Sequence, residues 1–521
     1  MSFIVNWLSP RNKWKISGNR YVQLCALLNT ILFNGVLFSF ISHQLTLFSI
    51  SGLTIALSVF LIVFVFNLVF MSLILLVIPK LFKVILILTT FINSIAIYYM
   101  NTYQVILDKT MIGNILNTRS TEIFELISPS LFLYVIVIGV IPSWLIVKTG
   151  VNVLNRVKIA FQSSMITVLI IGFLLANAAN WLWIDKYAKI LGGKMLPWSY
   201  IINTVRYQSM KMKQETDYQL LPLGKFINDD KVVVVLVIGE TARAQNFHFY
   251  GYPRNTNPLL ETLKPLVFNN TTACTTYTTG SLACMLSYDS NKTSSEPLPS
   301  YLTRMGVDVI WRANNWGEPA IKVTDYQKVD ELKENCFDEG CLFDEVLLTG
   351  LNQRIISSNK QKIFTVLHTK GSHGPSYYTR YPKRFEHFTP VCKHEELSKC
   401  TQQELVNAYD NTILYTDYFL YKAIKQLETL EDVPVMLIYI SDHGESLGEN
   451  GAYLHGTPYM FAPDFQKKIP FLIWTSSNFN YQSKHSNKNN SAFSHANIFH
   501  TIIGALGIKT QVYDKDLDVL N

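Results

Sequence analysis

The sequence predicts an α-helical membrane domain of five transmembrane helices followed by an α/β domain with a mostly parallel central sheet. Three observations carry this expectation. Five long runs near the N-terminus are apolar and almost free of charge. The rest of the chain alternates short β-rich apolar runs with segments of helical periodicity. Charge divides at the same place: residues 1–183 hold eleven Lys/Arg and three Asp/Glu, a net of +8, while the remainder holds 34 and 35. With 49% hydrophobic and only 16% charged residues over 521, the composition excludes a disordered chain, a nucleic-acid-binding tail and an ordinary cytosolic enzyme. A basic excess beside apolar runs marks membrane topology, not nucleic acid.

The runs fall at about 21–42, 51–78, 82–100, 126–147 and 159–183, and their only charge is Lys83 at a segment edge. Each is near the ~20 helical residues that cross ~30 Å of hydrocarbon. Five buried core helices in 183 residues would leave nothing polar to cover them. The first run is too long for a signal peptide's apolar stretch and no small-residue cleavage site follows, so it reads as an anchor. Arg11, Lys13, Lys15 and Arg20 precede it. Lys80 and Lys83 separate spans two and three, and Lys148, Arg156 and Lys158 separate four and five. The opposite loops carry only Lys109 and Arg119. The N-terminus is therefore expected in the cytoplasm, and an odd number of spans sends residues 184–521 outside.

The expected organisation is 1–183 membrane domain, 184–230 linker and 231–521 exported domain. The linker, with Trp181, Trp183, Tyr187, Trp198 and Tyr200 in and around it, reads as short amphipathic helices with an interfacial aromatic belt. Six of seven cysteines form close pairs in the exported part: Cys274/Cys284, Cys336/Cys341 and Cys392/Cys400. Such pairs in an exported domain read as local disulfides, leaving Cys25 in the first span free. Disulfides plus this topology indicate a bacterial inner membrane and periplasm.

In the exported domain, apolar runs at Val232–Ile238, Val307–Trp311, Lys362–Leu367, Val433–Ile440 and Ile469–Trp474 are expected strands, and 402–428 a helix. The polar stretch 476–491 reads as a mobile surface loop. In open α/β sheets ligands bind beyond the carboxyl ends of the strands. There the sequence offers Gly239-Glu240-Thr241, then His368-Thr369-Lys370-Gly371-Ser372-His373-Gly374, then Ser441-Asp442-His443-Gly444-Glu445. Glu240, Asp442 and His443, with His373 nearby, form a donor set that suits zinc. A hydroxyl among such ligands would be activated as a nucleophile. The segment 271–287 supplies hydroxyls inside the Cys274/Cys284 bracket, ahead of a helix expected at 279–287 whose first N–H groups suit a phosphate. The residues alone leave Thr275, Thr276, Thr278, Thr279 and Ser281 as alternatives.

The stretch GETARAQNFHFYGYPRNTNP at 239–258 resembles the opening of the periplasmic domain in membrane phosphoethanolamine transferases of the alkaline phosphatase/sulfatase superfamily. So do the C-x3-T-x5-C-M-x-S frame at 274–287, the H-x4-H-G-P at 368–375 and SDHGESLGENGAYLHGTPY at 441–459. The resemblance covers nearly the whole chain. It implies zinc held by Glu240, Thr278, Asp442 and His443, with Thr278, four residues after Cys274, as nucleophile. It places His373 and His455 at a second zinc or the substrate phosphate, and His368 near the site. Two positions depart from the pattern: Thr275 replaces a common Gly and Ala283 a common Pro. The segment 312–319 (RANNWGEP) also differs from the D-N-x-x-G form of better-known lipid A enzymes, and Lys322 aligns only loosely with a substrate-contacting Lys.

Between spans three and four, Asn114, Thr118 and Glu122 recur at i, i+4, i+8, which on one helix gives one face. The resemblance implies that this face holds an ethanolamine headgroup; a carboxylate for an ammonium is sound chemistry. The implied reaction moves phosphoethanolamine from phosphatidylethanolamine to an envelope acceptor, lipid A foremost, by a monomer, with core oligosaccharide or glycoprotein as other acceptors. A phosphoglycerol transferase of the lipoteichoic acid synthase type is the alternative. The cysteine brackets and the Asn114/Thr118/Glu122 face argue against it. A sulfatase proper would need a C/S-x-P-x-R frame, which the sequence lacks.

Overall fold

The structure is a computed structural model. It describes every residue except 1–14, 47–48, 119, 153–154, 179–180, 217, 291–293 and 480–491. Arg11, Lys13 and Arg119 of the orientation argument, and most of the polar loop 476–491, lie outside the described residues. The chain divides into two compact units, residues 1–113 with 127–207, and residues 114–126 with 208–521.

In the first unit, Ile50–Val77, Phe82–Thr102, Pro129–Lys148 and Arg156–Ala176 are each long and apolar enough to cross a membrane. The first apolar run differs from the expected single helix. It is a pair, Gly18–Phe33 and Gly35–Gln44, bent by 60°, and counts as a fifth span only if the two are taken together. The break has an identifiable cause. Buried Asn34 leaves helical geometry (φ −114°, ψ 22°), and its side chain pairs with the backbone N–H and C=O of Leu196. Asn34 Nδ2 donates to Leu196 O at 3.2 Å, and Leu196 N donates to Asn34 Oδ1 at 3.0 Å. Other buried amides follow the same pattern: Asn67 Nδ2 donates to Asn29 Oδ1 (3.2 Å) and Thr30 Oγ1 (3.1 Å).

Within the expected linker the chain forms the helices Ala188–Lys194 and Trp198–Thr216. Two of the aromatics expected in an interfacial belt serve otherwise. Trp198 Nε1 donates to Asn67 Oδ1 at 3.0 Å and Tyr200 OH to Asn93 Oδ1 at 3.0 Å. Each ring packs on a span while its polar tip satisfies a buried amide, the arrangement expected of an amphipathic aromatic.

The second unit is built on a seven-stranded sheet: β1 (Val232–Gly239), β2 (Leu266–Val267), β3 (Asp308–Ala313), β4 (Asp325–Lys328), β5 (Lys362–His368), β6 (Val435–Ser441) and β7 (Phe471–Thr475). Its order is β2-β7-β6-β1-β5-β3-β4. The five strands β6-β1-β5-β3-β4 run parallel, while β7 lies antiparallel to both β6 and β2. Between β6 and β7 the only described helix of α type is the four-residue Asp464–Lys467, too short for a parallel crossover, so the chain returns antiparallel. The short edge strands β2 and β4 gave no apolar run in the sequence.

The sheet is buried on both faces, which explains the continuous apolar runs. Val233, Val235 and Val237 of β1 face a core containing Tyr409, Ile413, Phe419 and Leu420 of the helix Gln402–Leu427. Val234, Leu236 and Ile238 face the other core, with Leu282, Leu302, Phe499 and Ile502. Burial of each such side chain contributes about 1.5–3 kcal/mol. The long helix starts with a capping box. Thr401 Oγ1 accepts from Glu404 N, and Glu404 Oε2 accepts from Thr401 N.

Replacing Asn34 with Leu leaves the Leu196 N–H and C=O buried and unpaired, at about 1–3 kcal/mol per group. The Asn34→Leu chain in detergent should melt several degrees below wild type; an unchanged melting temperature would remove Asn34 as the pin of the bent pair.

Candidate active site

The parallel register decides which residues meet. Ser441 of β6 pairs with Gly239 of β1, and Ile238 of β1 pairs with His368 of β5. The carboxyl ends of these three neighbouring strands therefore open on one edge. The first residues beyond them are Glu240, Asp442 and the loop that begins at Thr369. Ligand atoms of Glu240, Asp442 and His443 all lie within 4.8 Å of one another, and all three residues are buried.

Each of these side chains is fixed from behind. Thr241, next to Glu240, adopts a left-handed conformation (φ 51°) that a β-branched residue seldom takes. Hydrogen bonds impose it: Thr241 N donates to Asp442 Oδ1 at 3.0 Å, and Tyr409 OH donates to Thr241 O at 2.7 Å. Asn315 Nδ2 donates to Glu240 Oε2 at 2.7 Å. His443 Nδ1 lies 3.0 Å from Gly444 O, so it carries the proton and leaves Nε2 facing the cluster. Burial would raise the Asp442 carboxyl, but the adjacent His443 imidazole and the Thr241 N–H hold it below the usual carboxylate range. Burial would lower His443, and Asp442 raises it instead.

Thr278 opens the helix Thr278–Met285, which the Cys274–Cys284 disulfide braces. Its Oγ1 stands 3.4 and 3.3 Å from the two oxygens of Glu240 and 3.3 Å from His443 Nε2. The hydroxyls of Thr275, Thr276 and Ser281 are engaged elsewhere. Thr275 Oγ1 lies 2.9 Å from Ser281 Oγ, and Thr276 Oγ1 donates to Thr457 O at 2.6 Å. Asp442 Oδ2 is buried and makes no hydrogen bond, 3.1 Å from His443 Nε2. Two carboxylates, an imidazole nitrogen and a hydroxyl converging around such an orphaned oxygen fit a zinc ion. The other bracketed pairs, Cys336–Cys341 and Cys392–Cys400, are also disulfides, and Cys25 is free.

His373 and His455 stand beside this cluster. The His455 ring is 4.3 Å from that of His443 and 5.5 Å from that of His373. His455 Nδ1 lies 3.2 Å from Glu445 Oε1. His373 Nδ1 is buried without a hydrogen-bond partner. Burial, and then the neighbouring His455, Arg380 and Lys370, push His373 well below the usual imidazole range, so it is neutral. His368 ends β5 with its ring edge-on to Trp311, 6.1 Å away, in the second core.

The Asn114/Thr118/Glu122 face is not one continuous helix. The chain forms Lys109–Asn117 and then Ser120–Glu125, with Thr118 Oγ1 donating to Asn114 O at 2.7 Å near the break. Thr118 N donates to the same oxygen at 2.9 Å, so the two bonds together close the last turn of the first helix, and i, i+4, i+8 spacing does not sense that end. The Glu122 side chain lies outside what the structure describes. The segment 114–126 nevertheless partitions with the sheet-bearing unit.

Several residues here left little trace in the sequence. Asp344 accepts from Asn314 Nδ2 (2.9 Å), Lys370 N (2.8 Å) and Gly371 N (2.9 Å), fixing the start of the His373 loop. His495 spans the segment before Thr278 and β6. Its Nδ1 accepts from Cys274 N at 3.2 Å and its Nε2 donates to Ser441 O at 2.9 Å. Burial lowers its imidazole to about 4. Gly371 has φ +50°, and a Cβ there would stand 2.8 Å from Glu240 O and 2.9 Å from Glu240 N.

This sheet, with its donor set at the strand ends, is matched by the Sulfatase family model over residues 233–508. The model for phosphoethanolamine transferases EptA/EptB matches residues 62–212. The chain is 40% identical to phosphoethanolamine transferase EptA of Helicobacter pylori over 439 residues, 82% of this chain and 83% of that protein. It is 35% identical to EptA of Escherichia coli over 464 residues, again 82% and 83%. The structure is similar to that of the integral membrane lipooligosaccharide phosphoethanolamine transferase A of Neisseria meningitidis. That match has TM-score 0.87 and 29% identity, over 97% of this chain and 99% of that one. The chain belongs to the phosphoethanolamine transferase family. It is an enzyme and a multi-pass membrane protein.

Two predictions follow from the geometry. A Cβ at position 371 meets backbone, which cannot give way, so Gly371→Ala should displace Glu240 and lower metal occupancy as well as turnover; retained occupancy would show that the loop adapts. His495→Gln should cost about 2–4 kcal/mol by weakening two buried backbone contacts. With a folded value near 4 against an ordinary 6.5, His495 takes up a proton in the unfolded chain first as pH falls. Its linkage therefore removes up to about 3 kcal/mol of stability between those limits, and stability rises with pH across them. Denaturant titrations of wild type and variant across this range should converge as pH falls; parallel curves would exclude the linkage.

Proposed function

We propose that the enzyme transfers phosphoethanolamine from phosphatidylethanolamine to lipid A through Thr278, acting as a monomer in the bacterial inner membrane with its N-terminus cytoplasmic and its catalytic domain periplasmic. The observation that carries the reading is Thr278 Oγ1 within 3.4 Å of Glu240 and His443 at the start of a helix. Glu240, Thr278, Asp442 and His443 would hold the zinc. When bound, zinc supplies a Lewis acid that lowers the pKa of the threonine hydroxyl and stabilises charge on phosphate oxygens.

The chain's own groups do the rest. Thr278 Oγ forms a bond to the donor phosphorus as the bond to the diacylglycerol oxygen breaks, giving phosphoethanolamine-threonine and diacylglycerol. The first N–H groups of the helix receive phosphate oxygens. His373, neutral and with Nδ1 unpartnered, and His455, oriented by Glu445, would hold the phosphate or a second zinc. An oxygen of the lipid A phosphate then attacks the same phosphorus and regenerates the threonine. Asn114, Thr118 and Glu122 hold the ethanolamine ammonium. Family membership and the three disulfides weigh against the phosphoglycerol alternative.

Incubation with phosphatidylethanolamine should add the mass of one phosphoethanolamine to the peptide bearing Thr278 and not to that peptide in Thr278→Ala. Turnover should fall at least ~1,000-fold in the variant and on chelation, and zinc should restore the chelated enzyme. A fully active Thr278→Ala, or full activity without metal, would overturn the mechanism. Mass spectrometry of lipid A, core oligosaccharide and surface glycoproteins, with and without the gene, tests the acceptor.

A further inference from the structure

We infer that Glu125 is a positioning residue that registers the segment 114–126 on the loop 369–380, which carries His373. This rests on the reading of that segment as the holder of the donor headgroup. Glu125 ends the short helix Ser120–Glu125. Its carboxylate takes both terminal nitrogens of Arg380: Nη1 donates to Oε1 at 3.1 Å and Nη2 donates to Oε2. Lys370 Nζ stands 3.6 Å from the same Oε1. A forked guanidinium–carboxylate contact fixes orientation as well as distance. The Arg380 side chain is only 5% exposed, so water screens the contact poorly on that side.

The anchor on the catalytic side is rigid. Arg380 Nε donates to His373 O at 2.7 Å. Asp344 holds the Lys370 and Gly371 N–H groups, Ser372 N donates to Glu240 O at 3.0 Å, and Thr412 Oγ1 lies 2.7 Å from Ser372 Oγ. Removing Glu125 therefore frees the segment more than the loop. A spatial series runs from Glu125 through Arg380 to His373, then to the His455 and His443 rings at 5.5 and 4.3 Å. A headgroup held on segment 114–126 thus stands at a distance from Thr278 set partly by this contact. The carboxylate also offsets two cations, Lys370 and Arg380, which would otherwise repel an incoming ammonium.

The test uses the full-length chain in detergent micelles containing phosphatidylethanolamine, with a small soluble phosphoester as the second substrate. Glu125→Gln should raise KM for the lipid about five- to tenfold, the scale of one poorly screened charge pair, and raise it far less for the soluble ester. Glu125→Asp should restore part of the lipid affinity. Combining Glu125→Gln with Arg380→Gln should be no worse than Arg380→Gln alone, as expected of two residues acting as one unit. Hydrogen exchange should quicken over 114–126 and much less over 369–380. Equal KM effects on both substrates, an unchanged lipid KM, or unaltered exchange over 114–126 would each overturn the inference. If wild type moves no phosphoethanolamine from the lipid, the functional reading fails, and the exchange comparison still decides whether Glu125 ties the segment.

Discussion

The parallel pairing of β6, β1 and β5 is the constraint on which the site depends. Opposing Ser441 to Gly239 and Ile238 to His368 brings three distant stretches of chain to one edge. A one-residue slip would send the buried face of β1 to the opposite core, exchanging Val233, Val235 and Val237 for Val234, Leu236 and Ile238. Both sets are fully buried against differently shaped partners, so packing resists that slip. The register that places Glu240 beside Asp442 is thus enforced by side chains well away from either carboxylate.

What packing leaves open, short polar contacts close. Two carboxylates and an imidazole in a buried cluster repel or ionise badly unless each is held. Here Asn315, the Thr241 N–H and the Gly444 carbonyl each take one atom of the set. The strained Thr241 backbone is the local cost, met by Tyr409 from the long helix of the opposite layer. His495 does for the Thr278 segment what Thr241 does for the carboxylates. It joins the Cys274 N–H to the Ser441 carbonyl, so the helix carrying Thr278 cannot move independently of β6.

The sequence made legible those features that local pattern encodes. Continuous apolar runs mark strands buried on two faces, and the residues after Ile238, Leu367 and Ile440 are donors because that is where such sheets bind ligands. The long helix was visible from periodicity, and the cysteine pairs from spacing. Asn34 was not legible. A lone Asn in an apolar run looks like any tolerated polar residue, and its role comes from Leu196, 162 positions away. Asp344 and His495 were hidden for the same reason: their partners are backbone groups that no residue type advertises. The Asn114/Thr118/Glu122 spacing crosses from one short helix to the next, and helical spacing describes a single face only while one helix continues.

That break changes what the segment can be. A continuous helix from Lys109 to Glu125 would be about 25 Å long. There are two short helices instead, and 114–126 partitions with the sheet-bearing unit. A segment this short buries too little apolar surface to hold itself in place, and Ile123 and Phe124 are exposed. Its position must come from polar contacts, and a bidentate carboxylate–guanidinium pair is among the few that specify orientation. On the proposed reading, a headgroup held on this segment must stand at a set distance from Thr278, and such a contact sets it.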